Sequence, residues 1–451
     1  MRKTLLASAA LLTLLPAFAQ AGETEFPAKL VRHAILPANT IIAAPADAAE
    51  HLKTSGKFTT PDRTRAEGLG TVVGKDGVRE TDLSLPFDGQ PMQGFSGIKA
   101  MADGTFWTLS DNGFGSKANS SDAMLMLHHI RFDWENGTVE AVETVFLSDP
   151  DRKAPFPIVM EGAEKRYLTG ADFDVESIQP VADGFWIGEE FGPYLLKFTR
   201  DGTLTDVIAT KAGEIEVKSP DNPTLVVPAN PTAKIPAFNL KRSGGYEGLA
   251  LSMDGTKLYG MLEGPLYGQD GSVEKDGELT ALRVIEFDIA SKAWTGRTWL
   301  YPLSAGGEAI GDFNMLDATT ALVIERDNGA GRAPVCADPK APAPDCFQAE
   351  AKHKRVYKIE MTEENGGKAV RKVGYIDLMT IADPDKRKRQ GGGEGFYDMP
   401  FVTIENVDRV DETHIVVGND NNLPFSAGRA LHKTDDNEFV LLDVADFLAA
   451  K

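Results

Sequence analysis

The chain has 451 residues, with 47 Lys and Arg against 67 Asp and Glu, a formal net charge of −20. That balance argues against nucleic acid or an anionic membrane surface as the main partner, and it suits a protein that holds a divalent cation. The length leaves room for one large repeat-built domain or two to three ordinary ones.

Residues 1–19 combine Arg2 and Lys3, an apolar run and the small-x-small step Ala17-Phe18-Ala19, the pattern of a cleaved secretory signal peptide. No later apolar run approaches the ~20 residues that a spanning helix needs. A periplasmic or secreted, non-membrane protein is expected, with residues 20–451 as its single domain. The stretches KLVRHAILPANTIIAAP and Gly68 to Phe87 read as a partial strand unit, with EFVLLDVADFL at the chain's end pairing with it. Short helices are expected only at Pro45 to Lys53 and Asp443 to Ala449.

From Ser96 onward the chain repeats itself. SGIKAMADGTFWTLSDNG, ESIQPVADGFWIGEEFG, EGLALSMDGTKLYGMLEG, GDFNMLDATTALVIERDNG and ENVDRVDETHIVVGNDNN share one plan. Each has an apolar residue third, then a turn, an apolar strand, and a polar or acidic cluster at the strand's end. Most copies are followed by an outer hairpin or strand, such as YLLKFTRDGTLTDV. Units of about four short strands recurring in this way predict an all-β fold, a β-propeller. Six blades are expected, with seven as the alternative, broken by long insertions at about 210–242, 329–352 and 383–395. Cys336 and Cys346 fall in the second insertion; paired, they close a small loop worth about 3 kcal/mol on the chain-entropy model, and free thiols are the alternative. The basic run in the third insertion is either a solvated loop or a grip on an anionic substrate.

In a propeller, equivalent residues on successive blades converge on one axis. One expected ring contains Ser96, Glu176, Glu247, Gly311 and Glu405; a second contains Ser110, Asp111, Glu189, Glu190, Glu263, Glu325, Asp327, Asn419 and Asp420. Alternation along the strand turns Glu190 inward and Glu189 away. Carboxylates that meet without cations repel one another, and a hard cation such as Ca²⁺ resolves the conflict. The plainer reading is that acids at strand ends cap turns. Arg326 beside them either neutralises charge or recognises phosphate bidentately. The seven histidines show no zinc spacing, and Gly94-Phe95-Ser96-Gly97 lacks the spacing of a nucleophile elbow.

The order SG-I…LSDNG, D-x-ES-I…DGFWIGEEFGP, GYEGLALSMDG…LEGPL, VIERDN and EN-V…NDNN resembles the phytase-like family described as having esterase-like activity. The resemblance runs from about Gly94 to Asn422 and implies an exported propeller related to phosphate-ester hydrolases. Its acidic blocks fall on Asp111, Glu176, Glu190, Glu247, Glu263, Glu325 and Asp420. Gly311 departs from the acidic starts, and Glu308 or Asp312 could substitute. The expected function is that of a Ca²⁺-dependent phosphoric ester hydrolase, monomeric, acting on a small anionic ester. Its expected metal ligands are Asp111, Glu176, Glu247, Glu263 and Asp420. Glu190 and Glu325 are the catalytic candidates, and Arg326 and Lys99 the substrate-binding ones, with Lys386 to Arg389 weaker. A calcium-dependent lactonase or carboxylesterase, and a non-catalytic scaffold propeller, are the alternatives.

Overall fold

Short apolar strands joined by tight Gly-containing turns pair most readily with their chain neighbours, which yields small antiparallel sheets. The computed structural model describes residues 23–225, 238–268 and 270–451, so the expected signal peptide 1–19 lies outside them. Among the described residues, the first sheet unit comprises Phe95–Ala100, Phe106–Ser110, Met126–Asp133 and Thr138–Phe146. The second comprises Val175–Val181, Gly184–Glu189, Tyr194–Phe198 and Leu204–Ala209. Tyr246–Leu251, Lys257–Leu262, Leu279–Asp288 and Ala293–Pro302 form the third, and Ala309–Met315, Thr320–Arg326, Lys354–Glu360 and Arg371–Asp377 the fourth. The fifth is built from Asn406–Arg409, His414–Gly418, Asn437–Asp443 and, from the other end of the chain, Lys29–Leu36.

The innermost strands touch in cyclic order, first to second and on round to fifth and back to first. The chain folds as a β-propeller. Each junction between neighbouring blades holds its own buried apolar cluster, for example Trp107, Ile178 and Phe185 between the first and second blades. Phe95, Phe132 and Phe439 fill the junction between the first and fifth. Both faces of every blade are therefore covered, which explains why strands such as GFWIGE and YLLKF are buried along their whole length.

The described residues form five blades, not six. The N-terminal strand does not found a blade of its own: Lys29–Leu36 pairs antiparallel with Asn437–Asp443, Leu30 opposite Leu442, and completes the fifth. This pairing of the two chain ends closes the ring. The other half of the expected extra blade, Gly70–Val73 and Glu80–Leu85, is a separate two-stranded hairpin outside the ring. Its Val72 and Leu85 pack with Phe87, Phe114 and Leu423.

Cys336 and Cys346 are disulfide-bonded, with Cα atoms 5.0 Å apart. The basic loop of the third insertion lies along the outermost strand of the fifth blade, where the Arg389 amide donates to His33 Nδ1 at 3.1 Å. Among the described residues, helix is confined to a 3-10 turn at Glu50–Leu52 and an α-helix at Ala445–Ala449. None of the described helices is long and apolar enough to cross a membrane.

The axis is filled midway. Asp312 accepts the backbone amides of Ile98 at 3.1 Å and Val407 at 3.0 Å, one from each of two other blades. Asn314 donates to the carbonyls of Ile98 and Val407, and Gln179 donates to Asn314 at 2.8 Å. This network bonds four inner strands together and sets off the end at which those strands begin, the mouth of the propeller.

Because Leu30 is fully buried in the closing strand, Leu30→Ala should destabilise the protein by about 2–5 kcal/mol. Urea denaturation measures this. A loss below about 0.5 kcal/mol, the scale of a surface change, would contradict the closure.

Candidate metal centre at the mouth of the propeller

Every inner strand starts at the mouth and every second strand ends there, so two short segments per blade meet around the axis. β-Bulges aim the side chains. In the second blade Val175 pairs with Glu189 and Ser177 with Gly188, leaving Glu176 unpaired. In the third, Tyr246 pairs with Leu262 and Gly248 with Met261, leaving Glu247 in the same position. A bulged residue leaves the pleat and re-aims its side chain.

The fourth blade differs. Gly311 stands at its bulge, and a Cβ there would lie 2.2 Å from the Ile404 carbonyl oxygen. Only a glycine lets the segment carrying Glu405 pass so close. The blade contributes Arg326, from the end of its second strand, in place of an acid. Neither suggested substitute joins the ring: Glu308 accepts the Asn328 amide at 2.8 Å, and Asp312 lies deeper on the axis.

Asp174, Glu176 and Glu190 each offer a carboxylate oxygen, and these atoms lie within 4.8 Å of one another. Asp111, Glu247, Glu263, Glu405 and Asp420 surround them, coupled electrostatically to the three and to one another. Asn112 Nδ2 donates to Asp174 at 2.6 Å, and Asp111 accepts the Gly113 amide at 2.8 Å. Gly94, with φ of 63°, leaves space for Asp111, whose Oδ1 would sit 2.5 Å from a Cβ at that position.

Among the described residues, few cations reach the cluster. Arg326 Nη2 lies 3.3 Å from Glu263 and 3.4 Å from Glu405, and Lys241 Nζ lies 2.7 Å from Glu263. Lys75, on the turn of the N-terminal hairpin, approaches Asp420 while bonding the Asn422 amide oxygen.

Burial, reinforced by neighbouring carboxylates, pushes Asp111, Glu176, Glu190 and Glu247 well above the usual carboxylate range. The same burial takes Asp174 up to about 6 and Glu405 to about 8, although Arg326 opposes it at Glu405. Each pH unit of such a shift corresponds to about 1.4 kcal/mol, so the ionised cluster is costly without a further cation. Glu190 Oε1 and Glu247 Oε1 are buried with no hydrogen-bond partner. Orphaned hard oxygens in an irregular, all-oxygen set fit a cation such as Ca²⁺, and the set has none of the thiolate or imidazole that zinc sites favour.

Of the expected site residues, the structure brings together Asp111, Glu176, Glu190, Glu247, Glu263, Arg326 and Asp420. Glu325 and Lys99 lie elsewhere. Alternation sends Arg326 to the mouth and Glu325 outward, where it meets Tyr301 at 2.7 Å, His353 at 2.9 Å and Lys372 at 2.7 Å. Burial would raise its carboxyl, but His353 and Lys372 outweigh that and hold it at about 2. Lys99 bonds Asn314 at 3.2 Å and Asp408 at 3.1 Å, on the far side of the axial plug. Glu189 accepts the amides of Phe191 and Gly192, so its carboxylate closes its own turn. The Ser96 hydroxyl donates to the Glu176 carbonyl at 2.5 Å.

Asp174, Lys75 and Lys241 join the site without having been singled out, and Glu405 without having been named as a ligand. Asp174 sits two residues before Glu176 in DFDVES, a spacing that offered a signal. Lys75 and Lys241 belong to segments outside the repeats and offered none.

A family model described as "Phytase-like: Esterase-like activity of phytase" matches residues 90–423. The chain belongs to this phytase-like family. A protein of Arthroderma benhamiae described as an uncharacterized secreted protein is 26% identical over 182 residues, covering 36% of this chain and 35% of that one. The match thus spans about a third of that relative's length. Among solved structures, a GH43 β-1,3-galactosidase aligns over 83% of this chain and 94% of its own, at 10% identity and a TM-score of 0.39. The Dos1 propeller aligns over 92% and 95%, at 9% identity and a TM-score of 0.31. The matched family region begins just before the first inner strand and ends with the mouth residues of the fifth blade, so it contains every carboxylate of the cluster.

Carboxylates raised in the fold are protonated in both folded and unfolded chains at low pH, and must ionise against one another as pH rises. Metal-free protein should therefore lose stability between about pH 5 and about pH 8. Urea titrations in EDTA across that window measure this, and Glu176→Gln should flatten the slope. Stability that rises with pH would contradict the electrostatics described.

Proposed function

We propose that the protein is a metal-dependent hydrolase of small phosphate esters, with the acidic mouth as its reaction centre. The observation that carries this reading is the buried Asp174–Glu176–Glu190 triad, whose oxygens converge within 4.8 Å while Glu190 keeps an unpartnered Oε1. Those three residues would hold the ion, with Asp111 and Asp420 beside them. A hard divalent cation, Ca²⁺ by this donor set, supplies Lewis acidity for a phosphoryl oxygen and lowers the pKa of a bound water.

The chain's own groups do the rest. Arg326, 5% exposed, has a buried Nε without a partner, and its guanidinium would hold the phosphate. Glu247 Oε1 is unpartnered on the same rim, from which it would accept a proton from the attacking water. This reading exchanges two expected roles: Glu190 would join the ligands, and Glu247 would take the proton-transfer position. Export and action outside the cytoplasm are part of the proposal, supported by the Cys336–Cys346 disulfide and the leader-like residues 1–19. A single propeller domain acting as a monomer on a small molecule completes it.

Phosphate release from p-nitrophenyl phosphate and phytate, with and without EDTA, tests this reading. Activity should vanish on chelation and return with Ca²⁺. Glu190→Gln should lower kcat/KM by about 10²-fold or more, whereas Glu325→Gln should act mainly on stability. Hydrolysis of lactones or acyl esters without phosphate release would overturn the substrate class. Metal-independent turnover would overturn the mechanism.

A further inference from the structure

The outer wall of the propeller carries a feature of its own, away from the mouth. Lys29–Leu36 is the outermost strand of the fifth blade, with two strands between it and the inner one. Beside it, the basic loop and the turn that follows Met126–Asp133 enclose a surface cavity of about 640 Å³. Arg32, Lys386, Arg387, Lys388 and Arg389 line it, together with Trp134 and one acid, Glu135. On a chain of net charge −20, that lining reverses the sign of the surface locally. Asp385, at the edge of the loop, is already paired with Lys29 at 2.8 Å.

The loop is held in place by bonds that leave its charges unspent. The buried Asp383 carboxylate accepts the amides of Arg387 at 2.6 Å and Lys388 at 3.3 Å. Lys386 has φ of 54°, a left-handed conformation that a non-glycine residue keeps only where its surroundings enforce it. Lys388 Nζ donates to the carbonyls of Gly393 and Phe396. The Arg389 guanidinium donates to the carbonyls of His33 at 2.9 Å and Glu135 at 2.6 Å, and a Cβ at Gly137 would fall on it. Arg32 Nη1 bonds the Val31 carbonyl at 2.9 Å. Among the described residues, none of these five cations pairs with a carboxylate, and the side chains of Lys386 and Arg387 make no hydrogen bond. Trp134, half-buried against Phe132 with ring centroids 4.4 Å apart, gives the cavity an aromatic wall.

Cations without carboxylate partners attract an anion, and guanidinium groups suit carboxylate and phosphate oxygens. An aromatic wall beside them suits a ring with apolar C–H faces and polar edges, as a sugar has. The cations follow one another along the loop at the molecule's edge, a layout that matches charges repeated along a polymer. We propose that this cavity binds an anionic polysaccharide whose sugars carry carboxylate or phosphate groups, with Trp134 against a sugar ring and Arg32, Lys386 and Arg387 on its anions. The site does not depend on the reaction centre. Export, as proposed above, brings it to extracellular polymers, and a tether on the outer wall leaves the mouth at the end of the axis free.

Calorimetry of the exported protein with polygalacturonate, a carboxylate polymer, and with a phosphate-bearing mannan tests this. Dextran is the neutral control, and single-stranded DNA the polyanion without a pyranose ring. At least one anionic glycan should bind, more weakly as salt is raised from about 0.05 to about 0.2 M, and the tighter of the two identifies the anion. The exposed pair Lys386→Ala and Arg387→Ala should weaken that binding by about tenfold or more, and Trp134→Ala by a smaller factor, at unchanged melting temperature. Lys165→Ala with Lys211→Ala, which removes the same charge from exposed positions outside the cavity, should bind as the unaltered protein does. Equal losses in the two double variants would reduce the effect to net charge and overturn the site. Failure to bind either anionic glycan would overturn it as well. Dextran or single-stranded DNA bound as tightly as the glycans, or unchanged binding in Trp134→Ala, would overturn the choice of an anionic sugar polymer. None of these outcomes bears on the metal centre.

Discussion

Like charges held together out of water are the constraint on which the rest of this structure turns. Eight carboxylates from four blades meet at one end of the propeller, with Arg326, Lys241 and Lys75 as the cations that reach them. Nothing in the local sequence of any blade favours that meeting. It is imposed by the apolar junctions between blades, which fix where each inner strand begins, and by the pairing of the two chain ends, which closes the circle. The bulges at Glu176 and Glu247 then turn the acids inward. Packing energy distributed over the whole ring is what holds an unfavourable charge arrangement in place, a common relation between scaffold and site.

The plug of Asp312, Asn314 and Gln179 divides the axis into two unlike ends. Beyond it, Lys99 is neutralised by Asp408. At the mouth, carboxylate oxygens and the Arg326 Nε are left without partners. The contrast separates what the fold needs from what it leaves available for ligands.

Much of this was legible in the sequence because propeller repeats carry their chemistry at corresponding positions. Acids following apolar strands located the mouth, and alternation separated Glu190 from Glu189. Blade number was not legible, because a strand supplied by the opposite end of the chain looks locally like the start of another unit. Glu325 was misplaced by its composition: in VIERDN both acids and a base are adjacent, and only the register of Thr320–Arg326 decides which faces the axis. Lys99 does line the axis, but at about 3.3 Å per residue a few steps along the strand carry it below the plug. Asp174 stands in the D-x-ES-I block but was not made a candidate because it precedes the repeat as written, and Lys75 was missed because a hairpin's docking site depends on tertiary packing that no local pattern encodes.

The most direct measurement is an anomalous-scattering map from crystals soaked in Ca²⁺ or a lanthanide substitute. The account predicts a peak at the mouth, about 2.3–2.6 Å from carboxylate oxygens of Asp174, Glu176 and Glu190 for calcium, with one coordination position open to water. A mouth without a peak at saturating ion, or an ion held by other residues, would contradict it.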